Sequence, residues 1–186
     1  MRKQLRPAPT LADLAGMYPT PHDHRVFTDH LYRVGVTTAI ASQMCWYGCR
    51  VADLSCGDAA IAYALRDQWN ADLQIGDVAA GYPFHGPIEE TIAQIEPVDL
   101  FICSETLEHV ADPDGLLSAI RLKSKQLILS TPEGEEDSSN PQHIWGWDSA
   151  EVRAMLERAG FVPKIYNLLD LRLSRFQYAF QIWACS

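Results

Sequence analysis

The run Val98-Asp-Leu-Phe-Ile-Cys103 constrains this chain more than any other feature. It is apolar at nearly every position, so a strand built from it has no polar face to turn toward water. Such strands are buried on both faces, the setting of a parallel sheet covered by helices on either side. Gln126-Leu-Ile-Leu-Ser-Thr131 has the same character and stops at Pro132, whose missing N–H cannot extend a ladder. The two runs predict interior strands of an α/β protein.

The segments around them alternate in the same way. Residues 50–57 read as a strand ending in a tight turn, and 59–68 as a helix with Ile61 and Leu65 inward. A short strand over 72–78 precedes a loop at 79–87, where Gly81, Pro83, Gly86 and Pro87 cluster. Residues 88–95 suit one short amphipathic helix. Leu116, Leu117 and Ile120 give a helix over 115–123 its core face, and a polar loop runs over 133–142. Asp148-Ser-Ala-Glu151 has the form of a capping box. Val152, Met155, Leu156 and Ala159 then share a face, and Gly160 ends that helix. Two strands over 162–168 and 178–184 have a short connection, which predicts an antiparallel pair at a sheet edge. A helix over 27–43 is expected to bury Leu31, Val34 and Ile40. The predicted fold is a Rossmann-like, doubly wound, mostly parallel α/β sheet with a C-terminal antiparallel hairpin. Residues 1–27, with four prolines, read as an irregular N-terminal segment, and 28–186 as a single domain.

Fifteen Lys and Arg face 24 Asp and Glu, a net charge of -9, which argues against a general nucleic-acid binder. Arg2, Lys3 and Arg6 form a basic cluster that reads as a frayed tail. No apolar stretch reaches the ~18 residues of a membrane span, and the first residues lack the apolar core of a secretory signal. The odd count of five cysteines suits reduced thiols in a cytoplasmic setting. Nothing in the sequence speaks to oligomeric state.

Three positions carry candidate chemistry. The turn Asp53-Leu-Ser-Cys-Gly-Asp-Ala-Ala60 joins the first clear strand to a helix, where small residues let a ligand approach backbone and helix N–H groups. Asp77 follows Gly57 by 20 residues at the end of the next strand; a carboxylate there can accept both hydroxyls of a ribose. Cys103-Ser-Glu-Thr-Leu-Glu-His-Val110 places two acids and a histidine at the end of the third strand. Each also has a plain structural reading as a packing turn, a solvated aspartate or a helix cap. His143-Ile-Trp-Gly-Trp147 offers Trp145 and Trp147 as a wall of an acceptor pocket, or as an apolar plug over the sheet. Tyr18, His22 and His24 are placed to close such a pocket from the other side. His22-Asp-His24, with His30 nearby, is read as exposed loop rather than a metal site, and Cys45 and Cys49 as buried thiols; no metal is expected.

Val51-Ala-Asp-Leu-Ser-Cys-Gly-Asp-Ala59 resembles the glycine-rich first motif of class I S-adenosylmethionine-dependent methyltransferases. Residues 99–110 resemble the fourth-strand motif of that family. Ile128-Leu-Ser-Thr-Pro132 and Ala159-Gly-Phe161 match in order and spacing, so the resemblance spans residues 45–185. It implies S-adenosylmethionine as cofactor and a small-molecule, sugar or peptide as acceptor. It places Ser55, Cys56 and Gly57 against the methionine moiety, Asp53 near its ammonium, and Asp77 with Val78 at the ribose. Ser104, Glu105 and Leu107 would approach the sulfonium end, and Pro87, Ile88 and Glu89 the adenine. Glu108 and His109 would organise that loop, with His109 facing the acceptor. His109 and His143 are the candidate bases, because an unperturbed imidazole titrates near working pH.

The sequence departs from the family pattern in two ways. Ser55 and Ala59 replace glycines, where a positive φ would be costly. Only 21 residues separate Asp77 from Asp99, so the region of the third strand must be abridged. An alternative alignment puts Asp77 after that third strand, nearer the adenine. A non-catalytic binding or regulatory module is the competing reading. An NAD-linked oxidoreductase ranks last, because the Gly-x-Gly-x-x-Gly run is missing.

Overall fold

The computed structural model describes residues 1–135, 140–173, 176 and 178–186. In chain order the elements are β1 (Lys3–Gln4), α1 (Leu11–Met17), a 3-10 turn (His24–Val26), α2 (Thr28–Ser42), β2 (Arg50–Asp53), α3 (Ala60–Trp69), β3 (Asp72–Asp77), β4 (Phe84–His85) and α4 (Ile88–Thr91). There follow β5 (Leu100–Ser104), a 3-10 turn (Leu107–His109), α5 (Pro113–Lys123), β6 (Leu127–Pro132), β7 (Trp145–Gly146), α6 (Ser149–Arg158), β8 (Pro163–Asp170) and β9 (Ala179–Cys185). No helix among the described residues is long and apolar enough to cross a membrane.

Seven strands form the main sheet in the order β4-β3-β2-β5-β6-β9-β8. The first five run parallel; β9 is antiparallel to β6, and β8 to β9. The expected doubly wound sheet with its terminal hairpin is therefore present. Alternation along the interior strands explains the apolar runs. In β5, Leu100 and Ile102 pack on one face with Ile61, Ala62 and Leu65 of α3, while Phe101 and Cys103 pack on the other. That second face meets Leu116, Leu117 and Ile120 of α5 and Val152, Met155 and Leu156 of α6. Both faces are dry, so no position in the strand could be polar without a partner.

The abridged middle takes a specific form. The loop expected over 79–87 contains the two-residue strand β4, paired in parallel with Gly76 and Asp77. Parallel neighbours normally need a crossover of a dozen or more residues; here residues 78–83 suffice. Gly76 permits the approach, since a Cβ there would lie 2.4 Å from the Phe84 carbonyl oxygen. Because β3 lies directly beside β2, Asp77 ends the second strand of the winding rather than the third.

Three expectations are corrected. The N-terminal segment is not irregular: β1 pairs with β7, and Thr10 and Asp13 form a reciprocal capping box on α1. Its basic residues are docked, Arg2 on Asp114 at 2.6 Å and Arg6 on the His143 carbonyl at 2.8 Å. Helix α2 packs Val34 and Ile40 against the core as expected, but it leaves Leu31 exposed and buries Arg33, Thr37 and Ala41 most deeply. The Asp148 cap accepts from Glu151 N at 2.8 Å, but the Glu151 carboxylate turns to Arg158 instead of reaching back.

Candidate active site

Parallel strands that wind outward in both directions leave a crevice where the winding reverses, at their C-terminal ends. Here that point lies between β2 and β5. A cavity of ≈ 520 Å³ opens there, within the range of small-ligand sites. Its strand-end side is built by Ser55 and Gly57 after β2, Asp77 and Val78 after β3, and Ser104 and Glu105 after β5. The Ser55 and Thr106 hydroxyls, 2.6 Å apart, tie the two loops across the reversal.

Asp77 organises the first loop. Its Oδ2 accepts from Gly57 N at 2.8 Å and its Oδ1 from Ala79 N at 2.9 Å. Gly57 adopts φ 55, and Ala59 takes the left-handed φ 56 that its methyl group disfavours. Ser55 is not among the positive-φ residues; of the two replaced glycines, only Ala59 carries that strain. Behind the loop, Asp53 is 3% exposed and its Oδ1 has no hydrogen-bond partner among the described residues. Burial, with Asp77 adding, pushes its carboxyl up to about 7.

The β5 loop holds the acids. Glu105 sits at φ 52, and its Oε1 accepts from Ser130 Oγ at 3.0 Å. Burial pushes its carboxyl up to about 8 despite Arg33, whose Nε stands 3.9 Å away. Glu108 is 1% exposed, accepts from Thr131 Oγ1 at 2.9 Å, and is likewise raised by burial to about 8.

The two histidines expected as bases meet in the cavity, with ring centroids 4.9 Å apart. His109 Nδ1 lies 3.0 Å from the Gln142 carbonyl, which can only accept. Nδ1 therefore carries the proton and Nε2 the lone pair. Burial, then His143, pulls the His109 imidazole down to about 3, so it is neutral near pH 7. His143 has both ring nitrogens engaged: Nε2 accepts from the Asn140 amide at 2.9 Å, and Nδ1 donates to Glu135. Tyr18 OH is 3.3 Å from His109 Nδ1 and lines the cavity together with His22.

Several residues expected at the ligand lie outside the cavity lining. The described cavity lining contains neither Trp145 nor Trp147. Trp145 donates to the Val110 carbonyl at 2.9 Å under Arg2, and Trp147, 2% exposed, donates to Thr131 Oγ1 at 3.0 Å. They are the apolar plug rather than the pocket wall. Leu107 is fully buried in the core, and Cys56 packs with α3 on the opposite face of the sheet. Asp53 also lies behind the lining, so any contact from these three would run through backbone.

Two features escaped the sequence reading. Arg33 is fully buried between the sheet and α2, donating to Ser104 and, at 3.4 Å, to Ser130, with its guanidinium over the Phe180 ring. A lone arginine within a helical stretch gives no such signal. His22 and His24 close the cavity as expected, and His30, read with them as exposed loop, lines it as well. Burial first, then Arg33, lowers all three below the ordinary imidazole range, His30 to about 3.

The strand order and the position of the cavity define the class I S-adenosylmethionine-dependent methyltransferase fold, and this chain has it. No protein-family model and no curated protein sequence matches the chain. Among solved structures it is similar to 1,6-didemethyltoxoflavin-N1-methyltransferase of Burkholderia thailandensis, bound to 1,6-didemethyltoxoflavin and S-adenosylhomocysteine. The TM-score is 0.70 at 15% identity, over 100% of this chain and 95% of that one. Magnesium protoporphyrin IX methyltransferase of Synechocystis, with bound S-adenosylmethionine, gives 0.62 at 19% identity over 84% and 79%. A methyltransferase of Aquifex aeolicus gives 0.56 at 14% over 95% and 98%.

Proposed function

We propose that this chain is an enzyme that transfers a methyl group from S-adenosylmethionine to a small-molecule acceptor. The observation that carries the reading is the convergence of Gly57, Asp77, Ser104 and Glu105 from three strand ends on one cavity. The residues fit the cofactor. Each Asp77 oxygen accepts one N–H and keeps a second lone pair for a ribose hydroxyl. Val78, Pro87 and Ile88 offer an apolar slot for the adenine, with Glu89 beside it. Ser55 and Gly57 present backbone to the methionine end, and the orphaned Asp53 Oδ1 is a buried acceptor behind it.

S-adenosylmethionine supplies an electrophilic methyl carbon and a neutral sulfide leaving group. The protein's part is alignment and exclusion of water, which can lower the barrier by ~7 kcal/mol or more. Where the acceptor must lose a proton, His109 Nε2 holds the lone pair that takes it. An acceptor aligned in the cavity would pass that proton to His109 Nε2 as it takes the methyl group. His143, bonded through both nitrogens, orients this region. The free cysteines support a reducing, cytoplasmic setting for the reaction.

One observation favours the competing reading of a binding module without activity. The His22 carbonyl and His24 Cε1 close over Gly57, each 2.8 Å from where a Cβ would stand. Calorimetric titration with S-adenosylhomocysteine separates the two. A saturable isotherm in the wild type, lost in Asp77→Asn with the fold intact by circular dichroism, is expected. No heat and no thermal shift at millimolar ligand would make the chain a module.

A further inference from the structure

We propose that His22, His24 and His30 form a divalent metal site of the zinc type, open to the cavity. One ligand nitrogen from each of the three lies within 4.8 Å of the other two. They come from different local structures: His22 from the loop, His24 from the first position of the 3-10 turn, and His30 from the first turn of α2. Helical spacing therefore does not govern their convergence. The ring geometry suits a shared ion. Imidazoles bound at about 2.0–2.1 Å around one ion place their centroids about 5–6 Å apart. The observed separations are 5.0 Å for His22–His24, 5.6 Å for His22–His30 and 6.1 Å for His24–His30.

The second observation is the support around His24. Asp58 Oδ1 stands 2.6 Å from His24 Nδ1, so the carboxylate fixes the proton there and turns the Nε2 lone pair outward. A carboxylate behind a histidine is the recurrent outer partner of a metal ligand; it sets the tautomer and raises ligand basicity. His30 is held by an edge-on contact with Phe180 at 5.8 Å, and His22 stacks on Phe27 at 5.9 Å. His22 is exposed, which gives the ion a way in. Arg33 is the opposing charge, with Nη2 3.3 Å from His30 Nδ1. Ligation through His30 Nε2 places the ring proton on Nδ1 and gives up that contact. Arg33 keeps Ser104, Ser130 and Glu105.

Three protein ligands leave at least one position open, as in catalytic rather than structural zinc sites. The open position faces the cavity, so the fitting occupant is an oxygen donor, a hydroxyl or carboxylate of the acceptor. That last step rests on the methyl-transfer reading; the metal site does not.

The test uses tag-free, chelator-stripped protein without S-adenosylmethionine, titrated with Co²⁺ and followed by visible absorption, then competed with Zn²⁺. One equivalent of Co²⁺ should develop ligand-field bands, and Zn²⁺ should abolish them. His24→Ala or His22→Ala should weaken binding by about 100-fold or more, and Asp58→Asn by about 10–100-fold. His22 is exposed, so its removal leaves the core packing alone. His109→Ala should leave the bands unchanged. Absence of bands in folded wild-type protein, their survival in His22→Ala and His24→Ala, or their loss in His109→Ala would each overturn the site. Cofactor titration is a separate measurement, so failure of the metal site and failure of the methyl-transfer reading are distinguishable.

Discussion

Glu108→Gln offers a direct measure of the electrostatics beneath the cavity. Glu108 is 1% exposed; its Oε2 takes one hydrogen bond from Thr131, and its Oε1 has no partner among the described residues. His109 Nε2 is 3.8 Å away and neutral near pH 7, so it supplies no compensating charge. Burial first, and the charge of Glu135 further down, hold the folded carboxyl at about 8 against an ordinary 4.5. Below the ordinary value both folded and unfolded chains carry the proton, and this group's contribution is fully favourable. Between the two values the unfolded chain releases a proton that the folded chain keeps. Stability therefore falls as pH rises, by about 1.4 kcal/mol per pH unit. Glutamine retains an acceptor for Thr131 and does not ionise. Subtracting the variant from the wild type isolates the term: the difference should fall by as much as about 4 kcal/mol between about pH 5 and about pH 8. Urea denaturation followed by far-ultraviolet circular dichroism at several pH values gives it directly. A difference independent of pH, or one growing in favour of the wild type as pH rises, would mean that Glu108 is ionised in the folded state and that the burial argument fails.

Other perturbations follow from single contacts. Gly57→Ala places a methyl group at φ 55 and 2.8 Å from His22 and His24. It should cost about 1–2 kcal/mol from backbone strain alone and weaken Co²⁺ binding, read by thermal melting and by the visible titration. Trp147→Phe removes the bond to Thr131 and should cost about 1 kcal/mol in urea, while affinity for S-adenosylhomocysteine stays at the wild-type value. Arg33→Met takes the donor away from Ser104 and Ser130; a loss of about 1–3 kcal/mol is expected from the urea midpoint.

What could be read from the sequence followed from local rules. An uninterrupted apolar run needs two covered faces, and β5 and β6 have them, with alternate residues packing on opposite sides. Where such runs stop, strand ends must lie, so Ser55, Gly57, Asp77, Ser104 and Glu105 are gathered by local rules alone. The errors have one cause. Trp145 and Trp147 sit beside a glycine in a loop, and nothing local says that Thr131 and Val110 will take up their N–H groups. Arg33 is buried because Ser104, Ser130, Glu105 and Phe180, all distant in sequence, meet it. The same holds for His22, His24 and His30, whose convergence depends on how a loop, a 3-10 turn and a helix bend together.

This division between local and distant determinants separates two kinds of specificity. The strand-end side of the cavity is set by where the sheet stops, a property common to every chain with this strand order, and it suits a constant ligand. The other side comes from Tyr18, His22, His24 and His30 in the N-terminal region and from Asn140 and His143 before β7. Those residues are held by side-chain contacts, such as His24 on Asp58 and His143 on Asn140, rather than by where the strands stop. Choice of acceptor should therefore respond to substitutions in the N-terminal cover while cofactor affinity does not. The exception is the point where His22 and His24 touch Gly57, because there the two sides share a surface and a change in one must move the other.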